Sequence, residues 1–536
     1  MEKKQNGEAL ISNFDNKIEF KIPEWNLAAV ESIKNTELYK NSVNFSNSVE
    51  KTEKVMFDRS IDTHGWDTVS VCRASALNSK ILAEKNYPKT IKGSFAGTRI
   101  SLNAELGAWQ IIKGGGGASL NVNIPIKSGM FYGLQDHDDF DITGSSFDLQ
   151  INLEFFPLPS PEIKNGTYKL CTATEGNRPI IVQNFNYAKG EMDTANESLI
   201  SGLFREKINS RENLDFFDTI FSTVLIQNQI DIPEGFQWLN PTQISYGYSD
   251  SAEGVGSFAV MCMTGDEKHD DVGIHEVPSV PLESDQKTVF VISRECFVAK
   301  NFFTKFREYY NDEPQEKFIL GKNKKTVTAN SLPLKDVEYC GISYHPVADE
   351  FEIVFDDSLI RTQTKITCRI SPGIRLKLNI VINYELVMST NDKGEKCMAY
   401  QMVGEPVVES NVEKDKGVVI TEIILGIAGY LISAISYLVI GAIVSVTIAI
   451  ITAIAIGVMA FSIHYIIEKL IAEGITKSAP GIDPMVSFVS GQVEWPFCSK
   501  AGFTLTNIQY EGGIIFEGEL FIDNKFKIEN NRLMCA

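Results

Sequence analysis

Apolar and polar residues alternate with a period of two through much of the chain. In 119–129, Leu120, Val122, Ile124 and Ile126 fall on one face. In 147–156, Phe147, Leu149, Ile151, Leu153 and Phe155 alternate with Asp148, Gln150, Asn152 and Glu154. The longest example is 374–388, where Ile374, Leu376, Leu378, Ile380, Ile382, Tyr384, Leu386 and Met388 share a face. This pattern predicts antiparallel strands with one wet face. The spacing predicts further strands at QISYGYSD and GSFAVMCMTG, across 335–388, and at VSFVSGQVEWPF, FTLTNIQY and GIIFEGELFI.

Helical spacing interrupts the strands. Val69, Cys72, Ala76 and Leu77 predict a helix over 61–82, with Asp62 or Thr63 as its cap. Leu203, Phe204, Phe217, Ile220, Phe221, Val224 and Leu225 predict helix over 198–225, and 290–306 reads as another. Residues 1–60 are polar and read as an N-terminal extension.

One segment stands apart. No Asp, Glu, Lys or Arg lies between Glu422 and Glu468. A single bilayer crossing needs about 20 apolar residues, and this run is roughly twice that. Two crossings need a turn near Gly441, where no Pro, Asn or Asp stands. A long buried helix over 423–467, within 418–475, is the third option. A large one-faced sheet must cover its apolar face, and a curled sheet wrapped around such a helix does so. The expected fold is α+β, mainly β. It has two lobes, 61–285 and 286–536, each a long helix wrapped by a curled antiparallel sheet.

Composition narrows the function. The 536 residues carry a formal net charge of −19, with 43% hydrophobic residues. So acidic a chain lacks the basic surface that nucleic acid requires. Nine cysteines lie scattered without a CxxC, which argues against a zinc ribbon or redox dithiol. The N-terminus has no apolar core of signal-peptide length. The expectation is synthesis in the cytoplasm, with any release by a non-standard route.

Catalytic signatures are weak. Asp136, Asp138, Asp139 and Asp141 in DHDDFD form a calcium candidate, but Phe147 or Leu149 stands where an EF-hand needs Glu. A solvated turn is the plainer reading. Gly114–Gly117 lack the Gly-Lys-Ser/Thr of a phosphate loop and read as a hairpin or bulge. His269 and His275 lack zinc-site spacing, and GxSxG does not occur. His464 faces Glu468 one helical turn on, as a satisfied helix-end histidine or a pH-sensitive latch. Trp66, Trp109, Trp238 and Trp495 read as packing residues.

Five stretches occur in a fixed order: GWDTVSVC (65–72), WQIIKGGGGASLNVNIPIKSG (109–129), FQWLNPTQISYGY (236–248), FVISRECFVAKNFF (290–303) and VEWPFCSKAGFTLTNIQYEGGIIFEGEL (493–520). Together they resemble the clostridial OrfX and "P forty-seven" proteins encoded beside botulinum neurotoxin genes, a family of the tubular lipid-binding (TULIP) superfamily. The resemblance covers roughly 62–530. It implies two elongated TULIP-like lobes and no enzymatic activity. It implies no cofactor, with bound lipid the one candidate ligand. Its implied partners are a lipid or other hydrophobic ligand, and a toxin or sister proteins of the gene cluster, often in oral action against insects. The extension before Gly65 and the Ile-rich apolar run depart from the family's pattern.

Three classes therefore stand. The first is a binding module for lipid or for a toxin. Its hydrophobic-groove candidates are Ile440, Ile443, Ile450, Ile454 and Phe461. The second is a membrane-inserting component that releases 423–467. The third, ranked last, is a hydrolase in an unfamiliar fold. Docking a toxin or sister protein without lipid is the variant of the first in which the helix fills its own groove.

Overall fold

Alternating segments become strands because each can bury one face while its backbone pairs sideways. The computed structural model describes residues 61–84, 87, 89–134, 139–157, 167–172, 180–210, 222–225, 236–251, 254–270, 274–278, 280, 287–310, 313–390, 393–404, 406–421, 423–432, 434–436, 493–494, 498–522, 526–529 and 532–535. They belong to two compact units.

The first unit comprises Ile61–Ser293, Val486–Asn507 and Ile515–Ala536. Its axis is the strand Ser119–Tyr132. Along one edge it pairs antiparallel with Ser101–Leu106 and Gln110–Gly117, and along the other with Asp139–Asp141 and Ser146–Pro157. Leu120 opposes Ile151, Val122 opposes Leu149 and Ile124 opposes Phe147. All six are buried, so the two apolar faces noted in the sequence form one surface. The hairpin of Pro241–Ser251 and Gly254–Thr264 joins this sheet where Gly116 meets Ser249 and Gly117 meets Tyr248. Thr68–Arg73 then pairs on both sides, with Gly254–Thr264 and with Lys287–Ser293.

A helix, Thr194–Ile208, covers part of this core. Asp193 starts it by accepting the N–H groups of Ala195 and Asn196, each at 3.0 Å. Ile200, Leu203, Phe204 and Ile208 form its buried stripe. Phe204 stacks on Phe147 with ring centroids 3.7 Å apart.

The second unit includes Arg294–Met485 and Ile508–Ile514. Its sheet is a meander in chain order: Phe318–Leu320, Thr326–Pro333, Val347–Phe355, Ile360–Ser371 and Ile374–Thr390. Ile374–Thr390 is paired on its next edge by Lys396–Met402 and Val407–Lys414. Helical residues 294–309 include a widened turn, Phe297–Phe302, in which the Phe303 N–H reaches the Val298 carbonyl five residues back. Phe302 and Phe306 of this helix pack against Phe355 and Phe351 of the sheet.

The mainly-β, antiparallel expectation holds. Three helical readings need correction. Residues 61–82 are not one helix: Thr68–Arg73 is a strand, and the helix is Ala74–Glu84. Val69 and Val71 point into one core cluster and Cys72 into another, so the strand is buried on both faces, with Thr68 and Ser70 on the Cys72 side. Its alternation, Val69 and Val71 about Ser70, is short, and Val69, Cys72, Ala76 and Leu77 also fit helical spacing across the strand–helix boundary. Asp62 and Thr63 cap a turn instead. Asp62 accepts the His64 N–H, the Thr63 hydroxyl donates to the Trp66 carbonyl, and His64 and Gly65 both take left-handed φ values. In 290–306 the first part is likewise strand, Lys287–Ser293, and helix starts at Arg294. Val224 and Leu225 belong to the strand Ser222–Leu225, whereas 211–221 lie outside the described residues.

Of the apolar run, 423–432 and 434–436 are helical, and the remainder lies outside the described residues. Among the described residues, no helix is long and apolar enough to cross a membrane.

Candidate functional site

The second unit carries a broad apolar face. Ile374, Leu376, Leu378, Ile380, Ile382, Tyr384 and Leu386 are all buried on it. The neighbouring strand adds Ile360, Ile366, Cys368 and Ile370 on the same side, with Ile366 opposite Leu378 and Cys368 opposite Leu376. Burial pushes the Cys368 thiol up to about 11, so it behaves as a small apolar group.

Polar atoms interrupt this face. Thr362 and Thr364 sit among the aliphatic side chains, opposite Ile382 and Ile380. Thr362 donates to the Ile382 carbonyl, but the Thr364 hydroxyl is buried without a hydrogen-bond partner among the described residues. Tyr384 lies on the same face, and burial raises its phenol well above the ordinary range. A buried hydroxyl without a partner costs about 1–3 kcal/mol. Nothing in the sheet's own pairing requires a hydroxyl at 364.

The start of the apolar run is anchored in this unit. Ala428, Leu431 and Ile435 are buried, and the Ser436 hydroxyl is buried without a partner among the described residues. Tyr430 stacks at 4.4 Å on Tyr339, which belongs to the two-stranded hairpin Val337–Tyr339 and Ile342–Tyr344. Val419, just before the helix, is 73% exposed, and Ile423, its first residue, 77%.

In the first unit the described residues form an open cleft of about 590 Å³. It is lined by Gly115–Gly117 on the hairpin, by Tyr248, Ser249 and Asp250 on the neighbouring strand, and by 274–277 opposite. The Tyr248 hydroxyl donates to Asp250 at 2.7 Å, and the Gly114 N–H donates to the other Asp250 oxygen at 2.6 Å. These bonds fix the carboxylate. His275 Nδ1 donates to the Tyr246 carbonyl at 2.6 Å, which leaves Nε2 as the acceptor of the neutral ring. Burial pushes the Tyr246 phenol up to about 12 while it donates to the Leu153 carbonyl, so it is a structural hydroxyl.

The structure places the sequence candidates apart. Ile440, Ile443, Ile450, Ile454, Phe461 and His464 lie outside the described residues, as do Asp136, Asp138 and Trp495. Asp141 is paired with Lys189 and accepts the Thr143 N–H at 2.8 Å; the Lys189 hydrogen bond and those from Thr143 hold its carboxyl down at about 2. Among the described residues, no three His, Cys, Asp or Glu are placed to hold a metal. His269 stacks on Trp66 at 4.2 Å, with its Nε2 2.8 Å from the His64 carbonyl. Trp66 and Trp109 are core residues. Sequence reasoning missed Thr364, whose small polar side chain fits a strand pattern without notice. It also missed the grouping of Gly116, Asp250 and Glu276. The GGGG run was their only local signal.

Comparison with known proteins adds an independent line. The family model described as "OrfX-like: Protein OrfX2/OrfX3/P47" matches residues 63–518. A Protein OrfX3 of Paraclostridium bifermentans is 25% identical over 514 residues, covering 87% of this chain and 99% of that protein. A Protein OrfX3 of Clostridium botulinum (strain Kyoto / Type A2) is 22% identical over 501 residues, covering 86% and 99%. Two solved structures share the fold. P47 of Clostridium botulinum E1 superposes with a TM-score of 0.57 at 17% identity, over 86% of this chain and 100% of that one. P47 of Clostridium botulinum A2 gives 0.56 at 17% identity, over 86% and 98%.

Proposed function

The chain belongs to the OrfX-like family of OrfX2, OrfX3 and P47 proteins, and from that premise we propose that it is a non-enzymatic, TULIP-like protein that holds a lipid or other largely apolar ligand as an accessory to a bacterial toxin. The observation that carries this reading is the apolar face of the second unit, with the Thr364 hydroxyl buried among Ile and Leu and unpartnered among the described residues. A purely structural core gains nothing from a hydroxyl it must desolvate. An apolar ligand with a few polar atoms fits both properties: by displacing the cover of this buried face, its chain would take the aliphatic surface, and a carbonyl or hydroxyl would accept from Thr364. Specificity then rests on few polar groups, as in most small-molecule sites. In this reading each unit is a tubular lobe, and the segment 423–467 lines the groove.

The test is native mass spectrometry and lipid extraction on protein purified without detergent. Near-stoichiometric lipid is expected, and Leu378→Trp should reduce it by filling the face. Protein free of lipid that also ignores vesicles would overturn the reading in favour of docking a toxin or sister protein. A membrane-contact reading has its own support in the exposure of Val419 and Ile423 at the head of the apolar run. It predicts that Ile423→Asp lowers vesicle binding and leaves lipid content unchanged.

A further inference from the structure

Of the four glycines in Gly114–Gly117, three are explained by the fold. Gly114 and Gly117 have φ of +109° and +60°, which side chains rarely adopt. A Cβ on Gly115 would lie 2.8 Å from the Tyr248 ring. Gly116 has neither reason: its φ is outside the left-handed region and a Cβ there would meet nothing within 4 Å. It faces the cleft of about 590 Å³. A glycine in a strand marks a bulge or a place where a ligand or another backbone comes close; the ladder with Ser119–Tyr132 is irregular between Ile112 and Gly116, and Gly116 also lines the cleft.

The wall opposite is also held in place by the fold. His275 lies so near strand Pro241–Ser251 that a Cβ on Gly247 would be 2.4 Å from its carbonyl oxygen. Beside the Tyr248 and Ser249 hydroxyls and the apolar Ile274 and Val277, the opening carries three acceptor side chains, Asp250, His275 and Glu276. Asp250 is a carboxylate fixed by Tyr248 and the Gly114 N–H. Glu276 is exposed at the rim. His275 offers Nε2 in its neutral form, because Nδ1 is bound to the Tyr246 carbonyl. Among the described residues, no Lys or Arg lines the cleft, so an anion there would meet two carboxylates with no counter-charge. The chain's net charge of −19 raises the local concentration of cations further.

We infer that this cleft binds a ligand presenting an ammonium or guanidinium group, which passes over the Gly116 backbone to reach Asp250, Glu276 and the His275 ring. The chemistry can be delivered by a free polyamine or by a basic side chain in a peptide segment. This site is independent of the apolar face of the second unit.

Calorimetric titration of the full chain at low salt tests it. The probes are spermidine, a blocked Gly-Arg-Gly tripeptide and the same tripeptide with citrulline, which keeps the shape and removes the charge. Saturable binding of at least one cationic probe is expected, with the citrulline peptide at least about tenfold weaker and with loss of affinity at high salt. Tighter binding of spermidine assigns a free polyamine, and tighter binding of the arginine peptide assigns a basic side chain. Gly116→Leu fills the cleft without backbone strain and should abolish binding. Glu276→Gln should weaken it by up to about fivefold, the range of an exposed ion pair. Should Gly116→Leu lower the melting temperature, Glu276→Lys at the exposed rim serves in its place and should abolish binding of both cations. Equal binding of arginine and citrulline peptides, undiminished binding in a folded cleft variant, or no saturable binding of any probe overturns the assignment.

Discussion

Neighbouring glycines in one run do different work, and substitution separates them. Gly115→Ala puts a Cβ 2.8 Å from the Tyr248 ring and 2.9 Å from the Ser119 carbonyl oxygen. The ring is buried and the carbonyl is backbone, so neither yields freely. A loss of about 1–3 kcal/mol is expected, the usual cost of overpacking. Gly116→Ala should change stability by less than about 0.5 kcal/mol, as at an unencumbered surface position. Paired thermal melts check this, and equal effects would contradict the geometry. Asp141 gives a pH-linked case. Lys189, with help from Thr143, holds its folded carboxyl at about 2, below the free value of about 3.9. Its stabilisation is therefore present at neutral pH and is lost as pH falls from about 4 through about 2. The pair is roughly 40% exposed on both sides, at 43% and 39%, so solvent limits it to less than about 1 kcal/mol. Lys189→Met should remove that increment at pH 7 and make a smaller difference at pH 2, where Asp141 is already about half protonated, and an NMR titration of Asp141 should show its carboxyl moving up. The DHDDFD cluster was legible as acidic. That Asp141 answers to a lysine 48 residues later was not, because charge partners across a sheet leave no local trace.

Strand Thr68–Arg73 and hairpin 337–344 represent opposite ends of local stability. The first is paired along both edges and buried on both faces. The second forms a two-stranded sheet of its own, turned by Cys340 and Gly341 at positive φ. Isolated hairpins are marginal in water, so this one depends on Val337, Tyr344 and the Tyr339–Tyr430 stack. Hydrogen exchange should place the amides of 69–72 among the slowest in the chain and those of 338–343 among the fast ones. Tyr430→Ala should speed the hairpin further and leave 69–72 unchanged. The same contrast governs what periodicity could read. Ile374–Thr390 was plain because one face is wet and the other apolar. Thr68–Arg73 was misread because its alternation, Val69 and Val71 about Ser70, is short and runs straight into the helix Ala74–Glu84, so that Val69, Cys72, Ala76 and Leu77 also fit helical spacing. The boundary at Arg294 was missed because burial on both faces erases alternation there: Val289 and Val291 are buried in one core cluster of the first unit, and Phe290 and Ile292 between them are buried as well.

At the scale of the molecule, sequence order and compact units part company. The first unit takes Val486–Asn507 and Ile515–Ala536 from the far end of the chain, while Ile508–Ile514 between them belongs to the second. Ile515 is buried in the cluster that holds Trp66, Val69, Val71, Met261 and Val291. Phe516 lies against Phe290, with ring centroids 6.3 Å apart. Val493–Glu494 closes the edge of Ser222–Leu225. Hydrophobic patterning identifies such C-terminal strands as strands, but the partner of a strand hundreds of residues away is set by register and packing that no local window contains. The consequence is testable by truncation. A fragment of residues 61–293 keeps every strand of the antiparallel core around Ser119–Tyr132. It loses Ile515 from the second cluster and exposes one face of Lys287–Ser293. Deleting a buried Ile side chain alone costs about 2–5 kcal/mol, against a domain stability of about 5–15 kcal/mol, and the missing strands add their own pairing. The fragment should therefore melt non-cooperatively or aggregate, whereas co-expression with 486–536 as a separate chain should restore a cooperative transition. A fragment that melts cooperatively, at the full chain's temperature and without the C-terminal piece, would show that the C-terminal strands are dispensable to the first unit's core.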